Sequence, residues 1–293
     1  MQLVSRLGLF LLTNLAVVVV MGIIMRVFGL DQVLAQSGVP YASLMVMSVI
    51  FGFAGSFISL MLSKWMALRS TGAQIIKQPS NEVEAWLFNT VQRQAKAAGI
   101  GMPDVAVYDS PTPNAFATGA SKDNALVAVS TGLLRSMGRR EVEAVLAHEV
   151  SHVANGDMVT LALIQGVVNT FVIFLSRVIG SIIDKAVFRS ERGYGPGYWI
   201  TVMVLEVLFG ILASVIVMWF SRRREFRADA GAAALEGKDA MISALLRLGQ
   251  GTESELPAGM KAMGIKGGKA MALFSTHPTI EARVMALENL KDR

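Results

Sequence analysis

Cysteine is absent from this 293-residue chain, and histidine occurs only three times. The first absence removes disulfides and thiolate metal sites, and it is compatible with a reducing compartment. Charged residues make up only 17% of the sequence, and no basic stripe with interleaved aromatics occurs. A nucleic-acid-binding module needs such a footprint, so no nucleic-acid partner is expected. Internal repeats and low-complexity tracts are also missing. The glycine–lysine stretch at 263–269 lacks phosphate-loop spacing and reads as a mobile loop.

Apolar residues fill the space these absences leave. They make up 53% of the chain, with mean hydropathy +0.50, which indicates a membrane protein. Four segments account for this: 7–25, 39–62, 158–183 and 198–220. Each is near or above the roughly 20 residues that cross a bilayer as helix. The first has the basic start of a signal peptide, but no small-residue cleavage site follows, so it reads as a retained anchor. The third contains Gln165, Asn169, Ser176 and Arg177, and the fourth contains Glu206. Those groups leave buried core helices, or partial water-lined insertion, as the alternative for the last two.

Lysines and arginines at the segment ends give an orientation. Arg6 precedes the first segment, Lys64 and Arg69 follow the second, and Arg222, Arg223, Arg224 and Arg227 follow the fourth. The positive-inside rule places both termini and the long polar stretch between the second and third segments in the cytoplasm. Lys185, Arg189 and Arg192, in the connection expected outside, dissent. The expected organisation is a membrane hairpin (1–62), a first catalytic part (63–157), a second membrane hairpin (158–220) and a second catalytic part (221–293). The two polar parts total roughly 165 residues, enough for one domain with its own core.

Two of the three histidines stand four residues apart in His148-Glu149-Val150-Ser151-His152. On a helix, positions i and i+4 share a face, so both imidazoles can hold one cation. Glu149 can then reach a water in an open coordination position, which is the H-E-x-x-H arrangement of zinc metallopeptidases. The bland reading is an amphipathic helix with histidines at a turn boundary. The helix itself is well signalled: Val142, Val145, Leu146 and Glu149 form one stripe, and Asn155-Gly156 ends it.

A zinc site of this kind needs a third protein ligand. Glu225 is the best candidate, on a continuation of the fourth apolar helix, with Asp229 one turn on along the same face. Asp229 could accept the second ring N–H of a ligating histidine. Alternatively, both acids merely balance the arginines around them. Elsewhere, 81–98 reads as an amphipathic helix through Val83, Trp86, Leu87, Thr90, Val91 and Gln94. Residues 104–108 and 125–130 read as strands, and 111–119 as turn residues around a short apolar patch.

Taken together, His148-Glu149-Val150-Ser151-His152, Glu225-Phe226-Arg227-Ala228-Asp229 and Thr276-His277-Pro278 resemble the HtpX family. So do Asn114-Ala115-Phe116-Ala117-Thr118-Gly119 and Asn155-Gly156-Asp157, and the likeness covers essentially the whole chain. These are bacterial membrane-bound zinc endopeptidases, relatives of the eukaryotic CAAX prenyl protease. The resemblance implies a mainly α, four-segment integral membrane protein with a cytoplasmic gluzincin-type α+β catalytic domain. It implies one Zn2+ per chain held by His148, His152 and Glu225, with Glu149 as catalytic base. Asp229 would orient His148, and Asn114 would hold substrate backbone on an edge strand. His277 would be either a donor to the oxyanion or a helix-capping residue, and Arg283 would brace the region by pairing with a carboxylate. Thr279 stands where relatives often have a second proline.

The implied activity is stress-linked quality control of misfolded membrane proteins at the bacterial inner membrane. The implied partners are membrane-protein or unfolded polypeptide substrates, the lipid bilayer and other quality-control proteases. Two further readings use the same residues: a processing protease for prenylated or lipidated peptides, and a non-catalytic membrane metal-binding scaffold.

Overall fold

The computed structural model describes residues 41–188, 195–252 and 277–290, with a few positions between 19 and 29. The expected first span therefore lies largely outside the described residues, and the 263–269 stretch lies wholly outside them. In chain order the described elements are α1 (Tyr41–Thr71), β1 (Gln74–Ile75), α2 (Glu82–Ala97), β2 (Asp104–Tyr108), β3 (Ala115–Ser121) and β4 (Asn124–Ser130). They continue with α3 (Thr131–Ser136), α4 (Arg139–Asn155), α5 (Asp157–Ala186), α6 (Pro196–Glu236), α7 (Lys238–Thr252) and α8 (Ile280–Glu288). The chain divides into two compact units, one of Met1–Ser59 and Leu161–Val217, the other of Leu60–Thr160 and Met218–Arg293.

In the first unit, α1, α5 and α6 are each long and apolar enough to cross a bilayer. Apolar side chains such as Met203 and Leu212 stay more than 60% exposed, as expected of a lipid-facing surface. Small residues bring these helices together: a Cβ on Gly52 would overlap Thr170, and one on Gly166 would meet the Phe53 ring at 2.5 Å. The two charges in the apolar runs answer each other, with Arg177 Nη1 2.7 Å from Glu206 Oε1. Polar Gln165 donates to Asn169 at 2.8 Å, so these two amides on α5 answer each other as a low-dielectric setting requires.

The second unit is built on a four-stranded sheet in the order β1-β2-β4-β3. β2 and β4 pair in parallel, with Ala106 opposite Ala128, while β1 and β3 pair antiparallel with their neighbours. β4 is buried from Ala125 through Ser130, so it reads as a continuous apolar run rather than an alternating one. Val105, Val127 and Val129 face a core with Leu87 and Val91 of α2, Val142, Val145 and Leu146 of α4, and Leu245 of α7. Ala106, Tyr108, Leu126 and Ala128 face the other side, against Ala67, Leu68 and Phe116.

α2 starts where Asn81 accepts a hydrogen bond from Glu84 N, and it buries Leu87, Thr90, Val91, Gln94 and Ala95 along one stripe. Val83, expected on that stripe, is 46% exposed because it lies on the first turn beyond the packed face. Residues 104–108 and 125–130 are strands as expected. Residues 115–121 are also a strand rather than an apolar patch between turns. Among the described residues β3 pairs with β4 alone, so it is an edge. Its regularity comes from that ladder and not from any alternation of its own residues.

Candidate metal centre

α4 runs without interruption from Arg139 to Asn155, and Gly156 stops it in the left-handed region at φ 71°. Val142, Val145, Leu146 and Val150 bury one face of this helix in the core. That anchorage fixes its rotation and presents His148 and His152 on the adjoining face. α6 continues past its apolar part, ending only at Glu236, and carries Glu225 and Asp229 one turn apart. Gly231 lets α6 lie close to α4, since a Cβ there would meet Ser151 Oγ at 2.5 Å.

The three expected ligands converge. His148 Nε2 and His152 Nε2 are 3.1 Å apart, and they lie 3.5 and 3.3 Å from the two carboxylate oxygens of Glu225. A tetrahedral zinc with bonds of about 2.0–2.1 Å needs its donor atoms roughly 3.3 Å from one another, so the residues fit such an ion. His148 is 6% and Glu225 2% exposed.

The outer ring nitrogens are fixed by carboxylates. His148 Nδ1 lies 2.9 Å from Asp229 Oδ1, as expected. His152 Nδ1 lies 2.7 Å from Asp157 Oδ2, a partner the sequence reading gave no role. Each contact makes Nδ1 the donor and turns Nε2 toward the other imidazole and Glu225, where it can carry a proton or face a cation. Arg283 completes the surround. Its Nη2 and Nε donate to the two oxygens of Asp229 at 2.6 and 2.8 Å, and its Nη1 lies 3.6 Å from Glu225. The bracing expected of Arg283 is thus directed at Asp229 first.

Protonation follows from this crowding. Burial would push the Glu225 carboxyl up, but hydrogen bonds from His148, His152 and His277 hold it well below the ordinary carboxylate range. Burial likewise disfavours charge on His152. Hydrogen bonds to Asp157 and Glu225 outweigh it and push the imidazole up to about 9. His148 is raised too: burial opposes its charge, and Asp229 and Glu225 more than compensate. The cluster attracts positive charge.

His277 stands at the site's rim with its side chain 61% exposed, and its Nδ1 donates to Glu225 Oε2 at 2.7 Å. It does not cap α8. That role belongs to Thr279, whose hydroxyl accepts from Ala282 N at 3.3 Å, so the residue that departs from the family pattern serves as the N-cap. Asn114 immediately precedes the edge strand. Its N–H donates to Ser130 Oγ at 3.0 Å and its carbonyl accepts from Ser130 N at 2.9 Å. Glu149, next to His148 on α4, is half-buried.

The profile of peptidase family M48 matches residues 81–291, which include every residue of this cluster. The chain belongs to peptidase family M48. Within it, the chain is an HtpX-type member, 57% identical over 293 residues to "Protease HtpX" of Thioalkalivibrio sulfidiphilus (strain HL-EbGR7), covering 98% of this chain and 99% of that one. It is 59% identical over 290 residues to the "Protease HtpX homolog" of Nitrosomonas eutropha (strain DSM 101675 / C91 / Nm57), covering 97% and 99%. Among solved structures, S. mikatae Ste24p matches with TM-score 0.62 over 97% of this chain and 67% of its own. At 18% identity that likeness speaks for the fold alone. Membership in this family, with three membrane-capable helices among the described residues, makes the chain a multi-pass membrane metalloprotease.

Proposed function

We propose that this chain is a zinc-dependent endopeptidase at the cytoplasmic face of the bacterial inner membrane, cutting misfolded or damaged membrane proteins. One observation carries the reading. Two imidazoles, each fixed as an Nδ1 donor by its own carboxylate, turn their Nε2 atoms toward each other at 3.1 Å and toward a third carboxylate. Such an arrangement calls for positive charge at its centre, as protons or as a cation, and its spacing suits one zinc per chain. His148, His152 and Glu225 would hold the ion. When bound, it would lower the pKa of a coordinated water and polarise the scissile carbonyl.

The chain's own residues do the rest. Glu149 takes the proton from the attacking water and returns it to the leaving amine. His277 begins at Glu225 and, being largely exposed at the rim, is placed to donate to the developing oxyanion. Asn114, at the head of edge strand β3, positions an extended substrate whose backbone adds to the sheet. Asp229 keeps His148 in its Nδ1–H tautomer, and Arg283 keeps Asp229 ionised.

The arginine-rich exit of the 198–220 segment supports a cytoplasmic site and termini. Charged Arg139, Arg140, Glu141 and Glu143 on α4 argue for cleavage at the membrane surface and against cleavage at bilayer depth. Substrates would then be loops or frayed segments of membrane proteins, handled alongside other quality-control proteases under stress.

The test is zinc content and cleavage measured together in detergent. Wild type should bind one zinc per chain and cut an unfolded protein such as casein. Glu149→Gln should keep the zinc and lose about 10²–10⁴-fold in rate. His148→Ala should lose the metal. Parental cleavage by Glu149→Gln, or stoichiometric zinc in His148→Ala, would overturn the assignment.

A further inference from the structure

The described site contains one buried carboxylate to which neither the sequence reading nor the proposed chemistry gives a task. Asp157 is fully buried, and its Oδ2 accepts from His152 Nδ1 at 2.7 Å. It is the first residue of α5, placed directly after Gly156, whose φ of 71° reverses the chain. That reversal lets a residue five positions past His152 swing back beneath its ring. A continuous helix would carry position 157 away from it.

The same aspartate is held from α6. Arg227 Nη2 lies 3.6 Å from Asp157 Oδ1, and Arg224 Nη1 donates to the Asp157 carbonyl at 3.3 Å. Those two arginines stand one residue before and two residues after Glu225. One side chain and its backbone therefore link an imidazole of α4, the first turn of α5 and the helix segment that carries the third ligand. Asp229 with Arg283 makes the matching clamp on His148. Each imidazole thus has a dedicated acid, and each acid a basic side chain.

We propose that Asp157 is a positioning residue of the metal centre. Its buried carboxylate fixes the rotation and tautomer of His152 and registers it against the Glu225 segment, so the residue that opens α5 helps set metal affinity. This rests on the metallopeptidase reading above. Asp157 touches no reacting atom, so its loss weakens metal binding and leaves the peptide KM of the zinc-saturated enzyme near wild type.

The experiment measures zinc affinity of the full-length protein by competition with a chromophoric chelator, for wild type, Asp157→Asn, Asp157→Ala and Glu225→Gln. Carboxylates that orient a ligating histidine typically contribute 10–100-fold in affinity. Asp157→Asn, which keeps an acceptor oxygen, should weaken zinc roughly tenfold, and Asp157→Ala up to a hundredfold. Selective ¹⁵N labelling of histidine, of which the sequence has three, gives a second readout. In the zinc-loaded protein, wild-type His152 should show a hydrogen-bonded Nδ1–H, and in Asp157→Ala that signal should be lost to exchange with solvent at that ring alone. If Asp157→Ala does not fold, Asp157→Asn decides. Zinc affinity within twofold of wild type in a folded variant, or an unchanged His152 Nδ1–H signal in the zinc-loaded variant, overturns the proposal. A wild type that binds no zinc overturns the metallopeptidase reading instead, and Glu225→Gln separates the two because it must lose zinc whatever Asp157 does.

Discussion

Replacing Arg283 with methionine removes a guanidinium that touches Asp229 twice, at 2.6 and 2.8 Å, and Glu225 once, at 3.6 Å. Methionine restores much of the volume, so the loss is electrostatic rather than a cavity. Among the described residues, Asp229, 1% exposed, is then left with His148 as its partner. Stranding one member of a buried pair costs about 3–5 kcal/mol. A ceiling also applies. Asp229 can escape by taking a proton, and holding a carboxyl of ordinary pKa protonated at pH 7 costs about 4 kcal/mol. The expected destabilisation is therefore about 3–4 kcal/mol, a fall of roughly 10 °C in Tm for a unit of this size.

Its pH dependence has a definite sign. Burial pushes the wild-type Asp229 carboxyl up, but Arg283 and His148 together hold it below its ordinary value. That contribution is fully present above about pH 4 and is lost as pH falls through the depressed folded value. In Arg283→Met the folded carboxyl lies above the unfolded one, so acid relieves the variant. The Tm gap should shrink between pH 7 and pH 4, and Asp229→Asn/Arg283→Met should recover more than half of it. Thermal unfolding in detergent, with and without chelator, measures this. A shift under 2 °C, or a gap that does not change with pH, would refute the reasoning.

Gly231→Ala should destabilise by about 1–3 kcal/mol through overpacking, because the new Cβ would meet Ser151 Oγ at 2.5 Å. Adding Ser151→Gly should restore most of the loss in the same melts. Asn81→Ala removes the N-cap of α2 and should cost about 1 kcal/mol without changing zinc content. Because His152 takes a proton at about 9 in the absence of metal, a cation must displace that proton at lower pH. Apparent zinc affinity should therefore fall about tenfold per unit from pH 8 to pH 6. A flat profile in chelator titrations would contradict the assigned ligand.

The H-E-x-x-H helix was legible because its chemistry is written in local spacing. Four residues make one helical turn, and Gly156 marks the stop. Glu225 was legible by chemistry plus a second one-turn spacing to Asp229, although nothing local says that α6 returns to α4. Strand β3 was not legible in its residue pattern, although the family resemblance implied an edge strand at Asn114, one residue before it begins. Its residues, Ala115–Ser121, carry glycine, serine and threonine with no period-two pattern, and only pairing with β4 makes them extended. Asp157 was hidden for another reason. Its contact with His152 exists only because the backbone reverses at Gly156, and that turns a sequence separation of five into a hydrogen bond of 2.7 Å.

The distribution of charge explains why the site needs so many supports. Glu225, Asp229 and Asp157 are all at most 2% exposed, and Glu149 is half-buried beside them. Against these four acids stand buried Arg283 and the more exposed Arg227, so with neutral histidines the cluster carries an excess of negative charge. Buried charge without compensation is costly enough that groups change protonation state instead. Two outcomes are available: protons on the imidazoles, or a divalent cation between them. The first is what the raised imidazoles and depressed carboxylates express. The second neutralises the same excess and requires the Nε2 atoms to be bare, as hydrogen bonds at both Nδ1 atoms leave them. Acids placed behind the histidines therefore strengthen the site for metal and for protons alike, and pH decides between them.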